Sequence, residues 1–190
     1  MSATTGFALR DAASDDLPEI ARIYGHHVLT GLASFEDEAP GEAEMRRRHQ
    51  DVLARGLPWL VACYGEGAVK GYAYAAPYRQ RSSYRYTLED SIYVAPDAIR
   101  RGIGRALLTA LIERCTALGY RQLVAVIGDS ANVPSIALHG RLGFGRVGVL
   151  PATGWKFGRW VDSVLMQRAL GDGDTTDPTL SAPSGRRGPG

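Results

Sequence analysis

Apolar side chains spaced three and four residues apart predict two helices in the first third of the chain. The first helix carries Leu17, Ile20, Ile23 and Tyr24 at helical spacing. Ser14 is its predicted N-cap, because a serine hydroxyl can accept a hydrogen bond from the free N–H groups of the first turn, where Asp15 and Asp16 suit the helix dipole. A second helix is predicted over much of Glu42 to Arg55.

Runs of β-favouring residues, separated by turn residues, predict strands in the middle of the chain. WLVACY (59–64) and AVKGYAYAA (68–76) flank the turn sequence GEG and predict a hairpin. A third strand is predicted over YTLEDSIYV (86–94). A fourth is predicted over RQLVAVI (121–127), whose nearly continuous apolar run indicates burial on both faces.

The segment between the third and fourth strands predicts a helix that ends at Gly119. Its apolar residues at helical spacing are Ile103, Leu107, Leu108, Leu111, Cys115 and Leu118. A strand, a helix and a strand in this order form a βαβ unit. Another helix is predicted over Ser135 to Leu142 and two last strands near 145–150 and 161–168, so the fold class is α/β with a mixed sheet.

The end of the chain differs in composition from the rest. Residues 171–190, GDGDTTDPTLSAPSGRRGPG, are almost entirely Gly, Pro, Ser, Thr and charged residues. Such a segment buries too little apolar surface to offset its ordering entropy. The sequence therefore predicts one folded domain over 1–170 and a disordered C-terminal tail over 171–190.

The composition narrows the classes of partner. The 190 residues are 45% hydrophobic and carry a net charge of only +2, which disfavours nucleic acid as a partner. Cys63 and Cys115 have no metal-binding spacing and suit a reducing compartment, and the histidines have no convincing metal-site spacing either. Because the sequence has neither a long apolar run nor a leader-like N-terminus, we expect a cytoplasmic protein with no membrane partner and no metal.

The stretch DAIRRGIGRALL (97–108) has the composition of an anion-binding turn. Gly102 and Gly104 would let backbone N–H groups approach a pyrophosphate at a helix N-terminus, and the neighbouring arginines would add charge. Leu107 stands where a dinucleotide fingerprint needs its third glycine, and the Gly-Lys-Ser/Thr of a P-loop is absent. The spacing alone equally fits a tight strand-to-helix turn with solvated arginines.

The sequence context resembles the GNAT superfamily of N-acetyltransferases. SIYVAPDAIRRGIGRALL followed by SANVPSIALHGRLGF carries the resemblance. The acetyl-CoA signature of that family is Gln or Arg, two residues, Gly, one residue, then Gly or Ala. Here the window is IRRGIG, so Ile99 occupies the first position. This departure removes one side-chain contact but leaves the backbone N–H groups of the cradle in place.

A longer resemblance covers about residues 7 to 169. HHVLTGLASFEDEAP, PYRQRSSYRYTLEDSIYV, VAVIGDSANVPSIALHGRLGF and GWKFGRWVD are similar to the phosphinothricin and methionine sulfoximine or sulfone acetyltransferases. The resemblance implies the GNAT fold, a mixed and mostly antiparallel central sheet with helices on both faces. It also implies acetyl transfer from acetyl-CoA to the α-amine of a small amino-acid analogue, herbicide resistance, and a homodimer.

Glu89 is the candidate general base. In an extended strand, Glu89, Ser91 and Tyr93 face one side of the sheet, and partial burial there would raise the pKa of the carboxyl group. Taken alone, a strand glutamate is more often structural, whereas the resemblance matches it to the family's catalytic glutamate. His139 matches the position from which the leaving thiolate is protonated; the alternative is a histidine packed against the sheet.

The resemblance also implies binding residues. For acetyl-CoA these are Ile92, Tyr93, Val94, Ile99, Arg100, Arg101, Gly102, Ile103, Gly104, Arg105 and Asn132. For the amine substrate they are Phe35, Arg79, Arg81, Tyr84 and Tyr93, since arginines and tyrosines suit a carboxylate or phosphinate. The alternatives are that Phe35 belongs to the core and that Asn132 only caps a helix. GWKFGRW (154–160) is either a dimer contact or a pocket wall.

Two other functions stay open at this point. One is acetylation of a peptide N-terminus or another small amine; the arginine and tyrosine loop disfavours a cationic aminoglycoside. The other is a non-catalytic sensor of acyl-CoA, which would keep the glycine cradle without turnover. Glu89 and His139 together argue against the sensor, whereas Ile99 favours weakened use of CoA.

Overall fold

The computed structural model describes residues 6–65 and 67–179, which form seven strands and four α-helices. The strands are β1 (Ala8–Asp11), β2 (Trp59–Tyr64), β3 (Ala68–Pro77), β4 (Thr87–Val94), β5 (Gln122–Gly128), β6 (Gly145–Lys156) and β7 (Arg159–Ala169). The helices are α1 (Leu17–Thr30), α2 (Glu42–Ala54), α3 (Ile103–Ala117) and α4 (Val133–Arg141). This confirms the predicted α/β class, hairpin and βαβ unit.

The seven strands form one sheet in the order β1-β2-β3-β4-β5-β7-β6. All neighbours are antiparallel except β4 and β5, which are the two strands of the βαβ unit. Parallel pairing begins at Thr87 with Gln122 and ends at Asp90 with Ala125. Beyond that point β4 continues along β3 to Val94, and β5 continues along β7 to Gly128. The two central strands therefore diverge and leave a gap in the sheet.

Helices cover both faces of the sheet. Tyr93 of β4 packs edge-on against Tyr24 of α1, with ring centroids 4.9 Å apart. Asp90, an odd number of residues away and so on the opposite face, contacts His139 of α4. Helix α3 lies on that second face, where Ile103, Leu107, Leu108 and Leu111 are buried. The core is therefore divided between the two sides of the sheet.

The start of α1 differs from the prediction. Ser14 does not cap a helix: it begins a 3₁₀ turn, Ser14–Asp16, and α1 starts at Leu17. Within the described residues no side chain caps α1; the Asp16 carboxylate instead accepts the Ala13 N–H at 2.7 Å and pairs with Arg10 at 2.6 Å. A buried carboxylate with a nearby guanidinium satisfies both groups better than an exposed hydroxyl would.

Three further details correct the predicted elements. The four-residue edge strand β1 was not predicted, because it is short and exposed on every residue. Helix α4 starts at Val133, two residues before the predicted Ser135. Strand β5 is not buried throughout: Val126 is 39% exposed, because it lies where β4 has moved away.

The structure also describes part of the predicted tail. Residues 171–179 form turns rather than regular elements. They continue from Leu170, whose N–H bonds the Arg121 carbonyl at 2.9 Å, and the Arg121 side chain donates to the Gly173 carbonyl at 3.4 Å. Residues 180–190 lie outside the described residues, so the predicted disorder of the tail stays a prediction.

Candidate active site

Glu89 lies in a cavity of about 440 Å³ at the gap between β4 and β5. Its pKa is raised, chiefly by burial and secondly by the charge of the adjacent Asp90; the Arg79 charge acts in the opposite direction. A carboxyl group with a raised pKa holds a proton more readily after abstracting it. Glu89 therefore has the environment of a general base.

One wall of this cavity is aromatic. Tyr24, Tyr74 and Tyr93 line it, and Trp59 stacks on the far side of Tyr74 with ring centroids 4.3 Å apart. Burial raises the pKa of Tyr24 to about 12, so its hydroxyl group stays protonated and available as a donor. These rings give the cavity a rigid wall close to Glu89.

The loop after α1 supplies the part of the wall next to Tyr24. The Tyr24 hydroxyl is 2.8 Å from Ser34 Oγ and donates to Glu36 Oε1 at 2.8 Å, while Arg48 holds the same carboxylate at 2.7 Å. The buried Lys156 ammonium group of β6 donates to the Ser34 carbonyl at 2.7 Å. Hydrogen bonds from α1, α2 and β6 thus fix this loop beside the cavity.

Phe35 belongs to the cavity rather than to the core. Its side chain lines the cavity and is 40% exposed. The ring lies directly over Gly154, where an added Cβ atom would be only 2.9 Å from it. Glycine at this position is therefore what allows the ring to lie flat against β6.

His139 and Asp90 form a buried pair beside the cavity. The Nε2 atom of His139 donates to Asp90 Oδ2 at 3.0 Å, and the two side chains are 2% and 1% exposed. The Nδ1 atom donates to the Ser135 carbonyl at 2.8 Å. Burial lowers the pKa of His139. The hydrogen bond and charge of Asp90 raise the pKa by more than burial lowers it, so the net shift is upward.

A second cavity, of about 340 Å³, contains the glycine turn. Its lining residues include His27, Ile92, Tyr93, Val94, Ile99, Arg100, Gly102, Ile103, Gly104 and Asn132. Gly102 has a φ of 81°, a conformation that favours glycine, and it directly precedes α3. The turn therefore presents the free N–H groups of a helix start to the cavity, as an anion cradle requires.

Not every predicted cradle residue turns toward this cavity. Arg101 places its guanidinium over the Tyr64 ring, 5.9 Å from the centroid, and Arg105 is exposed on α3. Ile99 lines the cavity and is 58% exposed. Asn132 caps α4 by accepting the Ser135 N–H at 3.3 Å and also lines both cavities, so the cap does not exclude the predicted contact with acetyl-CoA, which stays a prediction.

The predicted substrate-binding loop has a different position. Arg79, Arg81 and Tyr84 line a separate cavity of about 600 Å³ together with Arg55 and Tyr120. The loop turns back on itself because the Tyr78 N–H bonds the Thr87 carbonyl at 3.3 Å and residues 82–84 form a 3₁₀ turn. The charge of Arg79 still reaches Glu89. The structure does not bring Arg81 and Tyr84 to Glu89.

Other site residues escaped the sequence analysis. Asp90, Glu36 and Tyr74 line the cavity, and Ser135 lines both cavities. Asp90 could have been found by asking which carboxylate lies on the face of β4 that α4 covers, because such a group could pair with His139. The others depend on tertiary contacts that no local pattern reveals.

The described residues give two limits on the site. They contain no group of three or more His, Cys, Asp or Glu side chains arranged to hold a metal ion. Within the same ranges, 6–65 and 67–179, no helix has the length and apolar character needed to cross a membrane.

Comparisons with known proteins agree with this geometry. A phosphinothricin N-acetyltransferase of Alcaligenes faecalis is 56% identical over 170 residues, which cover 90% of this chain and 86% of the relative. An L-methionine sulfoximine/L-methionine sulfone acetyltransferase of Pseudomonas paraeruginosa is 44% identical, with 93% of this chain and 98% of the relative covered.

Solved structures show the same relationship. A GNAT superfamily phosphinothricin acetyltransferase from Sinorhizobium meliloti, crystallised with AcCoA, is 50% identical with a TM-score of 0.89, covering 93% of this chain and 95% of that chain. A ribosomal-protein-alanine N-acetyltransferase from Brucella melitensis is 37% identical with a TM-score of 0.83, covering 86% and 99%. The predicted fold, enzyme class and acetyl-CoA cosubstrate are thereby confirmed. The pattern of the acetyltransferase (GNAT) family matches residues 21–144, and the chain belongs to this family.

Proposed function

We propose that this chain transfers the acetyl group of acetyl-CoA to the α-amine of phosphinothricin, methionine sulfoximine or methionine sulfone. One observation carries the proposal: the gap between β4 and β5 joins the cavity of Glu89 to the cavity of the glycine turn, and Ile92, Tyr93, Asn132 and Ser135 line both. An amine beside Glu89 and a thioester lying along β4 would meet at this junction. The relatives named above supply the substrate class.

Glu89 is the general base in this proposal. The substrate amine arrives as an ammonium ion, and Glu89 takes a proton from it, so that the neutral amine can attack the thioester carbonyl. General-base assistance of this kind contributes roughly 100- to 10,000-fold in rate. The raised pKa of Glu89 improves the match between the base and an aliphatic amine.

Backbone N–H groups of β4 stabilise the oxyanion. The Ala95 N–H bonds the Lys70 carbonyl on the β3 side, so strand alternation turns the N–H groups of Val94 and Ile92 toward the gap and that of Tyr93 toward β3. His27 Nε2 donates to the Val94 carbonyl at 2.9 Å and holds this part of β4 in place. Donors fixed in this way stabilise developing charge without reorganising.

The substrate anion faces a mixed polar wall. Phe35 and Tyr24 bound the cavity, and Arg79 is the guanidinium whose charge is felt at Glu89. We propose Arg79 as the group that attracts the carboxylate or phosphinate. The predicted substrate contacts of Arg81 and Tyr84 stay predictions.

We also propose a homodimer built on the β6–β7 hairpin. Trp155, Phe157 and Trp160 are 60%, 58% and 63% exposed, and Val147 on β6 is 62% exposed. Large exposed apolar side chains grouped on one hairpin are typical of an interface between protein chains. Size-exclusion chromatography with light scattering tests this: the wild type should have twice the chain mass, and Trp155→Ser with Trp160→Ser should shift it to the monomer.

A cytoplasmic location is part of the same proposal. It is supported by two buried free cysteines, Cys63 and Cys115, which suit a reducing compartment. Fractionation of expressing cells would test it. Herbicide resistance is tested in the same cells, which should tolerate phosphinothricin that arrests cells carrying Glu89→Gln.

The test of the reaction is release of CoA thiol across a panel of amines. The panel contains phosphinothricin, methionine sulfoximine, methionine sulfone, common amino acids, polyamines and short peptides beginning with alanine. We expect the three amino-acid analogues to give the highest kcat/KM. Preference for the peptides would favour N-terminal acetylation, as in the Brucella melitensis neighbour. Binding of acetyl-CoA without turnover of any amine would favour the sensor.

A further inference from the structure

The leaving thiolate needs a proton, and both ring nitrogens of His139 lie within hydrogen-bond distance of protein groups. Nε2 is engaged with Asp90 and Nδ1 with the Ser135 carbonyl, at 3.0 and 2.8 Å. The ring is 2% exposed and packs edge-on against Phe144, with centroids 5.0 Å apart. His139 lines the cavity of Glu89 but not that of the glycine turn, whereas Ser135 lines both. A thiolate that leaves along the glycine-turn cavity would therefore face the Ser135 hydroxyl group rather than the imidazole.

Ser135 lies between the ring and the junction. It lines both the cavity of Glu89 and the cavity of the glycine turn, and it is only partly buried. Its Oγ atom is 3.4 Å from Nδ1 of His139, one helical turn further along α4. The Ser135 backbone N–H bonds Asn132 Oδ1 at 3.3 Å, which anchors the residue at the helix start independently of its side chain.

We propose that Ser135 is a catalytic residue that carries the proton from His139 to the leaving thiolate. The inference rests on the proposed acetyl transfer. As the carbon–sulfur bond breaks, the sulfur takes the Ser135 hydroxyl proton, and Ser135 Oγ takes the Nδ1 proton of the His139 imidazolium. The products are the CoA thiol, an intact serine and a neutral imidazole whose Nε2–H still donates to Asp90. One positive and one negative charge are consumed together, so charge and atoms balance.

The surroundings of His139 supply the proton for this step. Asp90 on β4 faces the ring, Glu89 lies next to Asp90 in the chain, and the Cys115 thiol of α3 is close enough to feel the Asp90 charge. Arg168 of β7 donates to the Leu142 carbonyl at the end of α4. Burial lowers the pKa of His139, but the hydrogen bond and charge of Asp90 raise it by more, which favours the imidazolium. Asp90 is thus a positioning residue.

The test compares Ser135→Ala with Ser135→Thr. The alanine variant lacks the hydroxyl group, whereas threonine keeps it. We expect Ser135→Ala to lower kcat about 100-fold, the lower end of the range for lost proton transfer, because water can partly replace the hydroxyl group. Its KM for acetyl-CoA and its melting temperature should stay near the wild-type values. Ser135→Thr should restore kcat to within about threefold of the wild type.

The pH profile separates a relay from a packing role. In the wild type, kcat should fall on the alkaline side as His139 loses its proton, and Ser135→Thr should keep this fall. In Ser135→Ala the fall should disappear, because the proton no longer comes from the imidazolium. The matched control is Ser130→Ala. Ser130 lies in the loop before α4, and its hydroxyl group donates to Asp162 of β7. The variant should leave kcat and the pH profile of kcat unchanged.

Two results would overturn the relay. One is a Ser135→Ala variant with wild-type kcat and the same alkaline fall. The other is an equal loss of kcat in the alanine and threonine variants, which would assign Ser135 to packing. Failure of the proposed function looks different: the wild-type chain would then bind acetyl-CoA, measured by calorimetry, and release no thiol with any amine of the panel, and the relay would fall with it.

Discussion

Replacing Asp90 with asparagine tests the buried pair that supports the site. The substitution keeps the shape of the side chain and removes its charge, so the effect is electrostatic. The affected contact is the 3.0 Å hydrogen bond from His139 Nε2, between side chains that are 2% and 1% exposed. Solvent screening is weak at such a depth, and removing one partner of a buried ion pair costs about 3–5 kcal/mol.

We expect the loss of stability to lie near the lower end of this range, because asparagine can still accept a hydrogen bond through its side-chain oxygen. We expect Asp90→Asn to lower the free energy of unfolding by about 3 kcal/mol at pH 6. For a chain of this length, 1 kcal/mol corresponds to about 2–4 °C in melting temperature, so the shift should be about 6–12 °C. Differential scanning calorimetry at a fixed protein concentration measures it.

The pH dependence gives the sharper test. The pKa of His139 is raised in the folded state, so the stability that the pair contributes is complete below the unfolded histidine value of about 6.5. It is lost as the pH rises through the raised folded value. In Asp90→Asn burial lowers the pKa of His139 and only the Ser135 carbonyl still raises it, so the net shift should be downward and the variant should gain stability as the pH rises through about 6.5.

The quantity to follow is the difference in the free energy of unfolding between the wild type and Asp90→Asn. His27 and His49 have pKa values lowered mainly by burial, but they are present in both proteins and their effects cancel in the difference. The difference should narrow as the pH rises above about 6.5. Asp97→Asn, which removes an exposed carboxylate paired with Lys70, is the control and should leave the melting temperature unchanged. A difference that stays constant or widens with pH would refute the assignment of an imidazolium.

Three further predictions concern single positions. Glu89→Gln should lower kcat roughly 100- to 10,000-fold without changing the affinity for acetyl-CoA, and full turnover in this variant would exclude Glu89 as the base. In the wild type, kcat/KM should decline in acid at a pH above the ordinary glutamate pKa, because the pKa of Glu89 is raised. Gly102→Ala forces a side chain onto a φ of 81° and should raise the KM for acetyl-CoA about fivefold by disturbing the cradle, whereas Gly140→Ala, with open space around it, should not. Gly154→Ala should displace Phe35 and raise the KM for the amine but not for acetyl-CoA; equal changes in both would argue against Phe35 as a substrate wall.

The regular elements near the site were predictable because their signals are local. The hairpin follows from two β-rich runs around a glycine turn, and helix α3 follows from its apolar spacing and from Gly119, whose φ is 83°. The position of Glu89 on the same face of β4 as Ser91 and Tyr93 follows from strand alternation alone. Strand β1 had no such signal, because its four exposed residues show no alternation of burial.

The contacts between elements were not predictable in the same way. The pairing of Asp90 with His139 joins residues 49 positions apart and depends on how α4 packs against β4. The resemblance assigns His139 to protonation of the leaving thiolate, which stays a prediction, and it could not show that both ring nitrogens are engaged. The arginine loop was expected at the substrate, and its fold back toward Arg55 and Tyr120 results from a backbone hydrogen bond between Tyr78 and Thr87.

The loop after α1 connects the fold to the chemistry. Parallel pairing of β4 with β5 stops at Asp90 and Ala125. Further along β5, at its last residue, the Leu32 carbonyl of the loop lies against Gly128. Any Cβ atom at Gly128 would overlap that oxygen, so only glycine lets the loop reach the end of β5. The Lys156 ammonium group fixes the next turn of the loop through the Ser34 carbonyl.

This loop therefore occupies the space in which β5 would otherwise continue alongside β4. On the other side of the gap, His27 holds the Val94 carbonyl, a group that would otherwise accept a ladder hydrogen bond from a neighbouring strand. The Leu32 contact lies on β5 and the His27 contact lies on β4, so each side of the gap is bordered by a contact from α1 or its loop. The N–H groups that we propose to stabilise the oxyanion face this gap, and α1 and its loop pack beside it, so the residues that stabilise this corner of the fold would also build the site.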